Sequence, residues 1–345
     1  RLLYDSFVDP AANQPNGNQN RVVIFGARGM LPLLQGCSMA SGDGTFKTAP
    51  KPFVQLYTLH GVLRHTYPPV LYGMLANKRK ETYKTFFQQA VQLCNGNLPA
   101  SFMMDFEASA ILALREVLPN AEVRGCYFHL LSAWKRHMSD KDIGGAKALK
   151  EARNPFRNAF WMCTALAAVD PAMVHQTFDE LVASRYWRPR EPLFVELESY
   201  LRDNYIEGQR NAQGGFNQPT FPIRDWNCRA AMLSYNEYTR SGDPRTNNGC
   251  EGWHAVLKRD IGPNTPTLGK CVTYLERDMT HQLQKKEEHR NGRFVMRSTA
   301  RHTISCFLKA RAELWPEFNT TPDRRIQYLK EFSSALQMRP EYQNA

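Results

Sequence analysis

No two of the eight cysteines in this 345-residue chain form a Cys-x-x-Cys pair; they are scattered at positions 37, 94, 126, 163, 228, 250, 271 and 306. That excludes the disulfide framework of a small secreted domain, and the thiols read as reduced and mostly buried. Such usage points to a cytosolic or nuclear compartment. Long apolar runs are missing as well. Nothing approaches the roughly 18 apolar residues of a membrane span, so a soluble protein with no membrane partner is expected. The opening Arg1-Leu2-Leu3-Tyr4-Asp5 has neither the apolar stretch nor the cleavage site of a signal peptide. It also lacks an initiator Met, so a longer parent protein with an upstream domain is expected.

Acid is the scarcer charge. Lys and Arg number 44 against 33 Asp and Glu, a net charge of +11. Basic residues gather in Lys78-Arg79-Lys80, Lys135-Arg136-His137, Arg185 to Arg190 and Lys285-Lys286. One such cluster is most often a solvated helix face. Together they make a surface suited to phosphates, with the salt-sensitive binding of a nucleic-acid partner. With 42% hydrophobic and 11% aromatic residues, the chain can bury a sizeable core. Its length predicts one large domain with an insertion, or two domains.

Residues 1–36, whose first twenty are rich in Asn, Gln, Pro and Gly, read as a lead-in containing one short strand candidate, Arg21 to Phe25. Three strand candidates follow in quick succession: Cys37 to Phe46, Phe53 to Val62 and Val70 to Ala76. Their short linkers predict an antiparallel meander. Tyr83, Phe86, Phe87, Ala90, Val91 and Cys94 recur at helical spacing, so Lys80 to Cys94 is a helix, stopped by Asn95-Gly96-Asn97. Ser101 to Asp105 is an apolar, central strand. A helix over Ala108 to Leu118, a strand over Glu122 to Phe128 and a helix from His129 to His137 complete this part. The order is that of an RNase H-like mixed sheet, in which the fourth strand (Ser101 to Asp105) runs parallel to the first (Cys37 to Phe46). Residues 37–139 are thus the first part of the core, 140–245 a large all-helical insertion, and 246–345 the final part of the core with C-terminal helices. Asp170-Pro171 is a helix start with Asp as N-cap.

Three acids fall where an acid is normally a liability. Asp43 opens Asp43-Gly44-Thr45-Phe46 at a strand end, Asp105 ends the apolar run Ser101 to Met104, and Glu251 lies at the start of a helical segment. Acids gathered at strand ends need a counter-charge, and divalent metal held through hard oxygen ligands supplies it. Phosphoryl transfer on nucleic acid uses two cations about 3.5–4 Å apart, one for the attacking and one for the leaving oxygen. Each acid also has a plainer reading: a turn at Asp43-Gly44, a helix cap at Asp105, a capping box Asn248-x-x-Glu251. Glu251, His254 and Lys258 share one helix face, with Trp253, Val256 and Leu257 toward another.

The segments Asp43-Gly44-Thr45-Phe46, Met104-Asp105-Phe106-Glu107, Cys126-Tyr127-Phe128-His129 and Arg245-Thr246-Asn247-Asn248-x-x-Glu251-Gly252-Trp253-His254, in this order, resemble the Mutator-like element (MULE) transposase domain. Trp226-Asn227 fits the same pattern. The resemblance spans roughly residues 37 to 275. It implies that Asp43, Asp105 and Glu251 are a DDE catalytic and metal-binding triad, using Mg2+ with Mn2+ as a substitute. It implies double-stranded DNA as partner, at terminal inverted repeats and target sites, a homo-oligomer on DNA, and a nuclear location. Cys126, His129, Asn247, Asn248, His254, Lys258, Trp187 and Arg188 are the candidate DNA-binding or supporting residues. Cys126-x-x-His129 is half of a zinc site, completed by His254 or Cys250, or else a buried Cys beside a His that orients the site. Trp187 either stacks on an unpaired base or belongs to a core. His60, His65, His175 and His302 show no companions in sequence. Two rivals are a domesticated relative that binds DNA without transposing and a nuclease acting on RNA–DNA hybrids.

Overall fold

The computed structural model describes residues 1–6, 20–46, 48–63, 66–140, 142–262, 265–291 and 299–337. Along the chain run β1 (Leu2–Asp5), β2 (Val22–Gly26), α1 (Leu31–Gly36), β3 (Met39–Thr45), β4 (Gln55–Gly61), β5 (Pro69–Leu75), α2 (Lys80–Leu93), β6 (Ser101–Met104), α3 (Ala108–Val117) and β7 (Glu122–Gly125). Then come α4 (Tyr127–Asp140), α5 (Gly145–Lys150), α6 (Pro155–Ala165), α7 (Val174–Ala183), α8 (Pro192–Leu201), α9 (Ile223–Trp226) and α10 (Arg229–Leu233). The last elements are α11 (Asn248–Ile261), α12 (Leu268–Arg290), α13 (Thr299–Glu313), α14 (Trp315–Phe318) and α15 (Pro322–Gln337). Among the described residues no helix is long and apolar enough to cross a membrane. Two compact units emerge: residues 1–124 with 247–296, and residues 125–246 with 297–345.

The first unit is built on a seven-stranded sheet of order β1-β2-β5-β4-β3-β6-β7. β3, β4 and β5 form the expected antiparallel meander, and β6 lies parallel to β3. This is the mixed, RNase H-like arrangement the sequence predicts. β4 and β5 are buried at every position, as central strands covered on both faces must be. Alternation along β4 sends Leu56 to one face, where Trp253, Leu257 and Ile261 of α11 and Cys271, Leu275 and Met279 of α12 share its core. Tyr57 goes to the other face and packs edge-on against Tyr83 and Phe86 of α2, with ring centroids 5.2 and 5.4 Å away. Gly42 and Gly44 make room for this packing. A β-carbon on Gly42 would lie 2.4 Å from the Tyr57 hydroxyl, and one on Gly44 2.5 Å from Gln55 Nε2.

Several boundaries differ from expectation. Residues 1–36 are not merely a lead-in, because β2 pairs with β5 and β1 pairs with β2, extending the sheet. The helix expected from His129 begins at Tyr127, and β7 stops at Gly125. The buried stripe Tyr127, Leu130, Leu131, Trp134 and Met138 has helical spacing and takes Tyr127 from the expected strand into the helix.

The second unit is helical and recruits the C-terminal helices, which the sequence reading had assigned to the sheet-bearing core. Arg325 of α15 gives a two-point ion pair to Glu180 of α7, with Nε 2.7 Å from Oε2. Tyr235 meets His302 Nδ1 at 2.8 Å, giving that histidine a companion. The Asp170 cap is present, its Oδ1 accepting from Ala172 N at 3.0 Å. Trp187 is a core residue: it is 4% exposed and packs edge-on between Phe178 and Phe194. A ring so enclosed is unavailable to stack on a base, which corrects that reading. Arg188 is exposed and paired with Glu191 at 2.8 Å. All eight cysteines are free thiols, seven of them buried.

Candidate active site

The parallel pairing of β3 with β6 sets Gly42 opposite Met104. One residue further on stand Asp43 and Asp105, so the two acids leave adjacent strands side by side, at the ~4.8 Å spacing of paired strands. Asp43 is still inside β3 and is 4% exposed, so it is no turn residue. Asp105 follows β6 directly and does not cap α3, whose N-cap is Glu107.

On β3 and β4, Ser41 pairs with His60 and Asp43 with Thr58. Alternation puts all four on one face, a buried polar block in an otherwise apolar sheet. Helix α11 lies on that block. Cys250 Sγ contacts Ser41 Oγ at 3.2 Å, and His254 Nδ1 stands 3.1 Å from Asp43 Oδ2. Just before the first turn, the fully buried Asn247 donates its side-chain N–H to Asp105 Oδ1 at 2.8 Å. Asn247, Glu251, His254 and Lys258 follow one another at i, i+4, i+7 and i+11 along a single face. Glu251, half-buried, is thus one turn from the residue that holds Asp105 and one turn from the residue that holds Asp43. The capping-box reading fails, because Asn247 rather than Asn248 is the N-cap and makes no side-chain cap bond. Asn248 is the first helical residue, and Lys258 is exposed further along the same face.

The protons of this block can be assigned from its geometry. Burial pushes the His60 imidazole down to about 4, so it is neutral. Its Nδ1 lies 2.8 Å from the Tyr67 carbonyl, which only accepts, so Nδ1 carries the proton and Nε2 accepts. The Thr58 hydroxyl sits 2.8 Å from Nε2 and 3.2 Å from the Asp43 carbonyl, and its single proton goes to the nearer partner. The Thr58 oxygen also lies 3.4 Å from His254 Nε2. His254 Nδ1 in turn meets the Asp43 carboxylate at 3.1 Å. Sequence reasoning missed Thr58, and it took His60 as solitary. A polar pair at i and i+2 in a buried apolar strand was the available signal. His65 lies outside the described residues, and His175 is exposed.

Two further acids belong to this unit. Burial raises the Glu107 carboxyl above its usual range, with Lys78 Nζ 3.9 Å away. Asp278 of α12 accepts from Tyr72 Oη at 2.6 Å, Trp253 Nε1 at 2.9 Å and Gln282 Nε2 at 3.0 Å, tying α12 to α11 and β5. Cys126 and His129 fall in the second unit, buried and half-buried at the start of α4.

Asp43 and Asp105 offer carboxylate oxygens, with the His254 imidazole against Asp43 and the Glu251 carboxyl on the helix above. Carboxylate oxygens suit a hard divalent cation.

Residues 39–133 match the family profile of the MULE transposase domain. The matched segment contains Asp43, Asp105, Cys126 and His129 and ends before Glu251. No curated protein matches the chain. Among solved structures, a chain of the Drosophila P element transposase strand transfer complex is similar at 11% identity, covering 89% of this chain and 80% of that one, with a TM-score of 0.25. At that score the fold assignment rests on the sheet order itself.

Proposed function

We propose that this chain is the DDE-type catalytic domain of a DNA transposase, cleaving and joining DNA strands at transposon terminal inverted repeats. The observation that carries the reading is the β3–β6 register, which sets Asp43 beside Asp105, under a helix face bearing Glu251. Asp43, Asp105 and Glu251 would hold the divalent ions, Mg2+ with Mn2+ as substitute. When bound, such ions activate the attacking oxygen and stabilise charge on the leaving oxygen.

The protein's own groups define the rest. Asn247 holds Oδ1 of Asp105 and so sets the rotation of that carboxylate. His254 fixes the orientation of Asp43 and is itself set by Thr58. Lys258 offers an ammonium to a substrate phosphate. Water attacks a phosphodiester at the transposon end and displaces the transposon's 3′-oxygen, which leaves as a hydroxyl; that 3′-hydroxyl then attacks a target phosphodiester and displaces the target strand's own 3′-oxygen. Two ends must meet in one reaction, which favours a homo-oligomer on DNA, and the substrate of a eukaryotic element favours the nucleus.

The test is a strand-transfer assay with the full chain and labelled ends. Mg2+-dependent products that vanish in Asp105→Asn support catalysis. Tight DNA binding without products in the unsubstituted protein supports the domesticated relative instead.

A further inference from the structure

On the side of α11 turned away from Glu251 lies a cavity of about 900 Å3 that the catalytic reading leaves unused. Gly249, Gly252, Trp253 and Val256 face it from α11. At 3.6 residues per turn these sit across the helix from Asn247, Glu251, His254 and Lys258.

Two aromatic walls of the cavity are fixed in place. The Tyr67 ring presses so closely on Gly249 that a β-carbon there would lie 2.2 Å from it, and His60 Nδ1 holds the Tyr67 carbonyl at 2.8 Å. Trp253 is braced by His60 and Tyr72, each with its ring centroid 5.7 Å away, and its Nε1 donates to Asp278 at 2.9 Å. A ligand stacking here meets rings that have already lost their freedom. Helix α12 brings Lys285, Lys286 and Arg290 to the opposite wall. Two acids also line it, Glu288 and Asp278, and Asp278 already accepts three hydrogen bonds.

An aromatic and apolar wall facing a cationic one fits a group with a flat body and an anionic tail. The volume is that of a small-ligand site, too small for a duplex and large enough for one nucleotide. The geometry points to a pocket for a single unpaired nucleotide of the DNA substrate, its base against Tyr67 and its phosphate at Lys285, beside Lys286, whose Nζ donates to the Gly29 carbonyl. The inference rests on the DNA-processing reading above and names a second contact for the same substrate. The pocket is about one helix diameter, ~10 Å, from the carboxylates. One strand can span that separation, so the held nucleotide flanks the reacting phosphodiester. Stacking of this kind tolerates any base.

The test uses the full chain without metal and two duplexes, one fully paired and one carrying a single unpaired 5-iododeoxyuridine. The unpaired base is expected to photocross-link to Tyr67, and that duplex to bind on the order of tenfold tighter, the effect of one stacked base. Gly252→Leu grows into open space, since a β-carbon there meets nothing within 4 Å. It is expected to abolish the cross-link and the preference while leaving affinity for the paired duplex unchanged. Lys285→Glu, at an exposed position, is expected to reduce the preference severalfold. Cross-links mapping elsewhere, equal binding of the two duplexes, or indifference to Gly252→Leu would overturn the pocket alone. Failure to bind either duplex would overturn the DNA-processing reading and the pocket with it. Neither readout depends on strand cleavage, so an inactive triad does not affect the result.

Discussion

Asn247 holds Oδ1 of Asp105 through its side-chain N–H at 2.8 Å, although the two residues are 142 positions apart. The bond joins the loop before α11 to the end of β6 and sets the rotation of one of the three acids. Asn247→Ala is expected to lower Mn2+ affinity and strand cleavage by about 10–100-fold, the usual cost of losing a residue that orients a metal ligand. Calorimetric Mn2+ titration beside a cleavage assay checks this. An unchanged affinity would make the bond a fold contact only.

Gly42 separates Asp43 from a crowded strand face, where an added β-carbon would meet the Tyr57 hydroxyl at 2.4 Å. Gly42→Ala is expected to destabilise the first unit by about 1–3 kcal/mol through overpacking. Adding Tyr57→Phe, which removes the nearest atom, should recover part of the loss. Thermal melts of the single and double variants measure both effects.

The buried His60 predicts a pH dependence of stability. Its folded-state pKa of about 4 lies below the ordinary 6.5, so between those values the unfolded chain binds a proton that the folded chain refuses. The stability contribution is intact above pH 6.5 and falls as pH drops toward 4, by a total on the order of 3 kcal/mol. Unfolding free energies measured from pH 7 to 4 should show this slope, and His60→Gln should flatten it.

Asp278 gathers three donors onto one carboxylate, and an amide cannot accept from all of them. Asp278→Asn is expected to cost about 1–3 kcal/mol for each donor left unsatisfied. Trp253 fluorescence should report the loosening of α11 during denaturant unfolding. A variant as stable as the parent would show that these bonds are dispensable.

Much of the core was legible because local pattern and tertiary role coincide there. An apolar run ended by an acid marked β6 and Asp105, and helical spacing marked α2. The plainer readings of Asp43, Asp105 and Glu251 failed because turns and caps are local features, whereas β3–β6 pairing and the Asn247–Asp105 bond are long-range. The same reason hid the C-terminal helices. An amphipathic face says that a helix packs, not where, and Arg325 finds Glu180 across 145 residues of sequence. β1 and β2 escaped as sheet members because short strands near a Gly- and Pro-rich stretch gain their order from β5. Trp187 looked like a DNA contact because Arg and Pro surround it in sequence, while its ring turns inward to Phe178 and Phe194.

Anomalous scattering from crystals of the full chain soaked in Mn2+ measures directly whether these acids bind cations. The expected result is one or two manganese peaks coordinated by oxygens of Asp43, Asp105 and Glu251, lost in Asp105→Asn. Manganese bound elsewhere, or no peak at a concentration that saturates the protein in solution, would contradict it.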